Sequence, residues 1–192
     1  RNPGGSVKDR AAASMIRDGL QRGALRPGLT LLDSTSGNTG IAYAMLGAAL
    51  GYPVKLCVPS SVSEERKRLL HVYGADVLWT SPMEGSDGAI RLAQQLHAEE
   101  PDLYFYPDQY NNPANWRAHY EAKGPELLRQ TGDAIPQFVA GLRTSGNFVG
   151  TGRRLRGARP GIRPISVEAD SPLAGPEGRK ALEEGIGPRT YG

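Results

Sequence analysis

Short β-prone runs alternate with helix-patterned segments along almost the whole chain, and most of the runs end in or beside Gly, Ser or Pro. The runs are residues 30–34, 54–59, 76–80, 103–106, 137–141 and 165–168. Brief apolar runs closed by turn residues read as buried strands. Regular exchange of strand for helix predicts an α/β fold of open, mainly parallel sheets covered by helices. In such sheets ligands bind beyond the carboxyl ends of strands, where a turn leads into a helix N-terminus. The turn-rich stretch Asn111, Asn112, Pro113, Ala114 and Asn115 is the expected crossover between two lobes, residues 1–112 and 113–192.

The helical patterns differ in how much surface they can hide. Residues 7–22 place Ala11, Met15, Ile16 and Leu20 at helical spacing, and the Gly- and Pro-bearing segment 23–28 stops them. Residues 38–50 are apolar nearly all round, which predicts a buried helix. Residues 62–73 set Glu64, Glu65, Arg66, Lys67 and Arg68 against Leu69, Leu70 and Val72, the pattern of an amphipathic outer helix.

With 192 residues and 39% apolar content the chain can bury a sizeable core. Its net charge is +3, but 23 basic side chains are interspersed with 20 acidic ones. The densest basic cluster, Arg153, Arg154 and Arg156, is expected to be solvated surface, so no nucleic-acid partner is expected. The single cysteine, Cys57, excludes a disulfide framework and lies in an apolar run. A buried, inert thiol in a reducing cytoplasm is the expectation. No run approaches the roughly 18 apolar residues of a membrane span, and no metal site is expected. The chain opens on Arg1 inside a turn motif, so a natural start upstream is expected.

Chemistry is concentrated in turns. Asn2, Pro3, Gly4, Gly5, Ser6, Val7 and Lys8 form a tight loop into a helix, with Ser6 the expected cap and Lys8 in the first helical turn. The positive end of the helix dipole opposes a charge there and favours a free amine. Thr35, Ser36, Gly37, Asn38, Thr39 and Gly40 join a strand to the buried helix, and amides with hydroxyls at a helix start make a cup for a carboxylate or phosphate. The Gly-Lys-Ser/Thr ending of a P-loop and the spacing of a dinucleotide fingerprint are both absent from it. Arg143, Thr144, Ser145, Gly146 and Asn147, followed by Gly150 and Gly152, form another strand-to-helix turn able to cradle a phosphate.

Taken together, these turns resemble those of the fold-type II pyridoxal-phosphate enzymes of the cysteine synthase and cystathionine beta-synthase family, in the family's order. The resemblance implies two α/β lobes with a cofactor cleft between them, each incomplete in this chain. It implies pyridoxal 5'-phosphate carried by Lys8, which would also be the acid or base at the substrate's α-carbon. Asn38 would meet the cofactor's ring hydroxyl, and residues 143–147 its phosphate. Thr35, Ser36, Gly37 and Thr39, joined by Gln109, would hold the substrate carboxylate. A homodimer is implied as well.

Two departures accompany the resemblance. The family's phosphate loop commonly reads Gly-Thr-Gly-Gly-Thr or Gly-Thr-Ser-Gly-Thr, where this chain has Arg143, Thr144, Ser145, Gly146 and Asn147. Ala122 and Lys123 precede Gly124 where the family commonly has threonine. The activity implied is β-replacement on an activated serine, O-acetylserine or O-phosphoserine, by a sulfur donor to give cysteine. The rival readings are cystathionine formation from serine and homocysteine, and a catalytically silent relative serving as a binding subunit. Arg179 and Lys180 are expected to be solvated surface.

Overall fold

The computed structural model describes residues 2–132, 134–141 and 145–167. The chain divides into two units, Arg1–Asp108 and Gln109–Gly192. The division falls just before the expected crossover, because the 109–112 turn is tied to the helix after it. Asn115 Nδ2 donates to the Gln109 carbonyl at 2.7 Å, and Asn112 Oδ1 caps that helix by accepting from the Ala114 amide at 2.9 Å.

In the first unit four parallel strands, β1 (Thr30–Ser34), β2 (Val54–Pro59), β3 (Asp76–Thr80) and β4 (Tyr104–Phe105), lie in the order β3-β2-β1-β4. Leu31 aligns with Val54 and Asp33 with Leu56, so alternate residues of β1 and β2 share a face. Helices α1 (Lys8–Gln21) and α2 (Asn38–Leu50) cover the face that carries Val54 and Leu56. A Cβ on Gly47 would run into Val54 and one on Gly40 would meet Leu56, which shows how closely α2 lies on the sheet. Helix α4 (Gly85–Glu99) covers the other face, packing Ala89 and Ala93 against Leu32, Cys57 and Tyr104. Full burial of a side chain such as Leu31, Leu32 or Leu56 contributes on the order of 1.5–3 kcal/mol.

The edge strand β4 is shorter than expected. Leu103 is exposed and Pro107, without an amide hydrogen, cannot extend the ladder. Helix α3 (Glu64–Val72) starts at a Ser63 cap whose hydroxyl accepts from Arg66 N, and it buries Leu70. Val72, expected beside Leu70, is instead 76% exposed. Two residues advance a helix by about 200°, which turns Val72 to the opposite side. Helix α2 is buried over its first turns and emerges at its end, where Leu50 is exposed. Cys57 is fully buried, and burial pushes its thiol up to about 11, so it stays protonated.

In the second unit β5 (Gln137–Gly141) pairs in parallel with β6 (Arg163–Val167). β6 begins earlier than the expected 165, since among the described residues it pairs with β5 alone and Pro164 is tolerated at such an edge. The expected Glu168 lies outside the described residues. Helix α5 (Pro113–Ala118), a π-helical turn (His119–Lys123) and α6 (Gly124–Thr131) succeed one another without a break. α7 (Gly146–Ala158) packs against them by backbone approach: a Cβ on Gly150 would overlap the Trp116 carbonyl and lie 2.9 Å from His119 Cβ. Leu155, Phe138 and Ile162 form the core beneath it.

No helix of the described residues is long and apolar enough to cross a membrane, and no cluster of three or more metal-ligating side chains occurs among them.

Candidate active site

Lys8 is the first residue of α1 and is half-buried. The Ser6 hydroxyl accepts from the Lys8 amide at 3.2 Å, so Ser6 caps through the second residue after it, although the helix boundary falls at Val7. The loop ahead is closed by residues on the far side of Lys8. Asp9, buried, accepts from Gly4 N at 2.7 Å, and Arg10 Nε donates to Asn2 Oδ1 at 3.0 Å. Gly5 completes the turn with φ of 76°, in the left-handed region where glycine carries no steric penalty. Lys8 thus stands on a braced turn. Sequence reasoning singles out the lysine and passes over Asp9 and Arg10, although both directly follow it.

The 35–40 turn is shaped by Thr35. Its buried hydroxyl oxygen accepts from the amides of Gly37 and Gly40, each at 3.1 Å, and lies 3.3 Å from the Gly37 carbonyl. A Cβ on Gly40 would collide with the Thr35 methyl, which accounts for glycine there. Thr35 therefore supports the cup from within, while Ser36 and Gly37 are half-buried, Asn38 is exposed and Thr39 is buried. Arg66 of α3 donates to the Ser36 carbonyl at 3.4 Å, and its guanidinium carbon would lie 3.7 Å from a Cβ on Gly37. The sequence assigns Arg66 only to an outer helix face.

Beneath this turn, Asp33 on β1 and Tyr43 on α2 are fully buried. Asp33 accepts from the Ser34 amide at 2.8 Å, and the Tyr43 hydroxyl lies 3.6 Å from Met15 Sδ. Burial, then the Asp33 charge and hydrogen bond, with Tyr106 and Asp108 adding to them, push the Tyr43 phenol well above its ordinary range. The phenol is held neutral beside the carboxylate that starts the turn.

In the second unit Gln109 is buried and Ser145 stands in the left-handed region with φ of 54°, immediately before α7. Arg143 and Thr144 lie outside the described residues. The first turn of α7 carries no acidic residue, and its first residue is Gly146. Asn115 Oδ1, buried and without a hydrogen-bond partner, points at Gly146, where any Cβ would strike it. Asn147 Oδ1 accepts from Lys123 Nζ at 2.7 Å and lies 3.4 Å from Thr151 Oγ1. This turns the Asn147 NH₂, a pair of donors, away from the lysine.

A helical lysine on a braced loop, with strand-to-helix turns suited to anions, defines an α/β enzyme of the cofactor-dependent kind. The chain belongs to the pyridoxal-phosphate-dependent enzyme family, which it matches over residues 1–189. It is 52% identical to a cysteine synthase of Aquifex aeolicus over 99% of this chain and 58% of that protein. It is 41% identical to cysteine synthases of Staphylococcus aureus over 99% of this chain and 63% of theirs. A solved cysteine synthase of Entamoeba histolytica superposes with a TM-score of 0.87 at 34% identity, covering all of this chain and 58% of that one. The chain thus spans about three fifths of the length of these relatives.

Each unit, taken by itself, carries groups of a kind that the family's cofactor needs. Lys8 offers an amine, and the start of α7 offers amides and the Asn147 NH₂ with no acidic side chain in its first turn.

Proposed function

We propose that this chain is part of a cysteine synthase, a pyridoxal-phosphate enzyme that replaces the β-substituent of O-acetylserine or O-phosphoserine with sulfur. The observation that carries the reading is Lys8 opening α1 on a loop closed by Asp9 and Arg10, in a chain 52% identical to a cysteine synthase. When bound, the cofactor supplies the electron sink that acidifies the substrate's α-carbon.

The chain's own residues have distinct parts in this reading. Lys8 joins the cofactor and moves the proton at the substrate's α-carbon. The α2 end, through Ser36, Gly37 and Thr39, holds the substrate carboxylate on a turn supported by Thr35, and Gln109 contributes to it. Asn38 meets the ring hydroxyl. The first turn of α7, with Ser145, Gly146 and Asn147, holds the phosphate, and Arg143 and Thr144 belong to the same loop. Assembly as a homodimer in the cytoplasm is part of the proposal, supported by the family resemblance and, for the compartment, by a single buried thiol.

Borohydride reduction of the full-length protein loaded with pyridoxal phosphate, followed by peptide mapping, should place the tag on Lys8. Fixation elsewhere overturns the reading. Sulfide with each activated serine should give cysteine, whereas serine with homocysteine as the preferred pair would make the enzyme a cystathionine synthase. Sedimentation of the same protein should report a dimer.

A further inference from the structure

The peptide that joins Ser36 to Gly37 is held at both of its ends. Its N–H donates to the Thr35 hydroxyl at 3.1 Å, and its carbonyl accepts from Arg66 Nη1, 30 residues away on α3, at 3.4 Å. We propose that Arg66 is a positioning residue for the amino-acid substrate, acting through this peptide to set the turn that receives the carboxylate; this rests on the reading of the chain as a pyridoxal-phosphate enzyme.

The reach of Arg66 is built into α3. Ser63 caps that helix through the Arg66 amide, which fixes the point from which the side chain leaves. Glu64 pairs with Lys67 at 2.7 Å inside the helix, while Arg66 crosses to the neighbouring turn. Its guanidinium presents a face to Gly37. The place that a Cβ on Gly37 would take lies 3.7 Å from the guanidinium carbon and 3.8 Å from both Nε and Nη2. Near-equal distances to three atoms of a flat group put that point above the plane. A side chain longer than a methyl at this position would push the guanidinium off the Ser36 carbonyl, and glycine leaves it in place.

The hydrogen bonds around the turn show what the arginine adds. The Gly37 carbonyl accepts from Gly40 N at 3.1 Å and from Ile41 N at 3.5 Å, so the backbone from Gly37 onward belongs to α2. The peptide ahead of it is the joint between strand and helix. A peptide is planar and turns as one body about the bonds that flank it. Thr35 grips the N–H end from within the turn, and Arg66 grips the carbonyl end from another helix. Release of the carbonyl end lets the joint rotate, which moves the Ser36 hydroxyl relative to Thr39 on α2. Groups meant to meet one carboxylate then no longer converge, and binding is sensitive to displacements of that kind.

The test uses the full-length protein loaded with pyridoxal phosphate. Arg66→Met keeps an unbranched stem and removes the donor. It should weaken L-serine, followed by titration calorimetry, and raise the KM for O-acetylserine with sulfide, each by about two- to tenfold, the range of one net hydrogen bond. The kcat, the affinity for pyridoxal phosphate and the urea midpoint should stay at wild-type values, because Arg66 is exposed and the lost binding is common to ground and transition states. Arg66→Lys, which keeps a donor, should recover most of the loss. The ratio of methionine variant to wild type should also hold from low to high salt, since the bond goes to a neutral carbonyl. A ratio that collapses in salt would mean that Arg66 meets the carboxylate by charge, and the positioning role fails. Unchanged serine affinity, or an equal loss for pyridoxal phosphate, overturns the proposal. A wild-type protein that takes up no pyridoxal phosphate at Lys8, or takes it up and binds no L-serine, overturns the underlying reading instead.

Discussion

Asp9 accepts the Gly4 amide at 2.7 Å and so closes the loop ahead of Lys8 from the residue just behind it. The contact is specific in space as well as chemistry, because a Cβ on Gly4 would stand 2.7 Å from the other Asp9 oxygen. The loop that carries Lys8 is therefore closed by the lysine's own neighbour.

Asp9→Ala in the full-length protein should unfold more readily by about 1 kcal/mol in urea, the low end of the cost of an unmet donor, since the Gly4 amide is part-buried. It should also lower the yield of borohydride-fixed cofactor at Lys8. Asp9→Asn, able to accept the same amide, should recover most of the stability. Unchanged unfolding and unchanged labelling in the alanine variant would show that the loop holds itself without the carboxylate.

Thr35 makes a second separable prediction, because its hydroxyl oxygen accepts two amides of the turn while its methyl fills the space above Gly40. Thr35→Val preserves the shape and removes the acceptor. Stability should fall by about 1–3 kcal/mol and, on the proposed function, the KM for the amino-acid substrate should rise, since the turn is no longer set. Thr35→Ser should retain the KM and lose only the packing of one methyl. A valine variant with wild-type KM would separate the turn from substrate binding.

Those two residues also mark the limit of what the sequence alone reveals. Strands β1, β2, β3 and β5 and helix α2 fall at the expected bounds, because a short apolar run closed by a turn residue is a local property of the chain. Thr35 and Lys8 also stand where the sequence places them, the hydroxyl in a strand-to-helix turn and the amine at the end of a loop that opens a helix. The Asp9 brace is not, since an aspartate in a first helical turn reads equally well as a partner for the dipole. β4 and β6 depart from expectation at Leu103 and Pro164, where solvent and an edge position overrule propensity. The pairs Lys123 with Asn147 and Asn115 with Gly146 depend on how α7 settles on α5 and α6. Periodicity carries no information on that.

Asp33 and Tyr43 couple the start of the 35–40 turn to pH from below. Burial, reinforced by the Asp33 carboxylate, raises the folded Tyr43 pKa above its unfolded value of about 10. The unfolded chain therefore releases this proton first. The stabilisation is fully present below about pH 10 and declines as pH rises from there toward the folded pKa, by up to about 1.4 kcal/mol per unit. Urea unfolding of the full-length protein at pH 8, 10 and 11 should show that decline. Tyr43→Phe cannot release a proton, so its decline should be shallower by up to the same slope, while other tyrosines and lysines contribute equally to both proteins. At pH 8 the phenylalanine variant should be less stable by about 1 kcal/mol, because the buried Asp33 loses the polar neighbour beside it and Met15 Sδ loses its donor. Parallel slopes in the two proteins would mean that the phenol is reached by water, and the neutral phenol beneath the 35–40 turn would have to be abandoned.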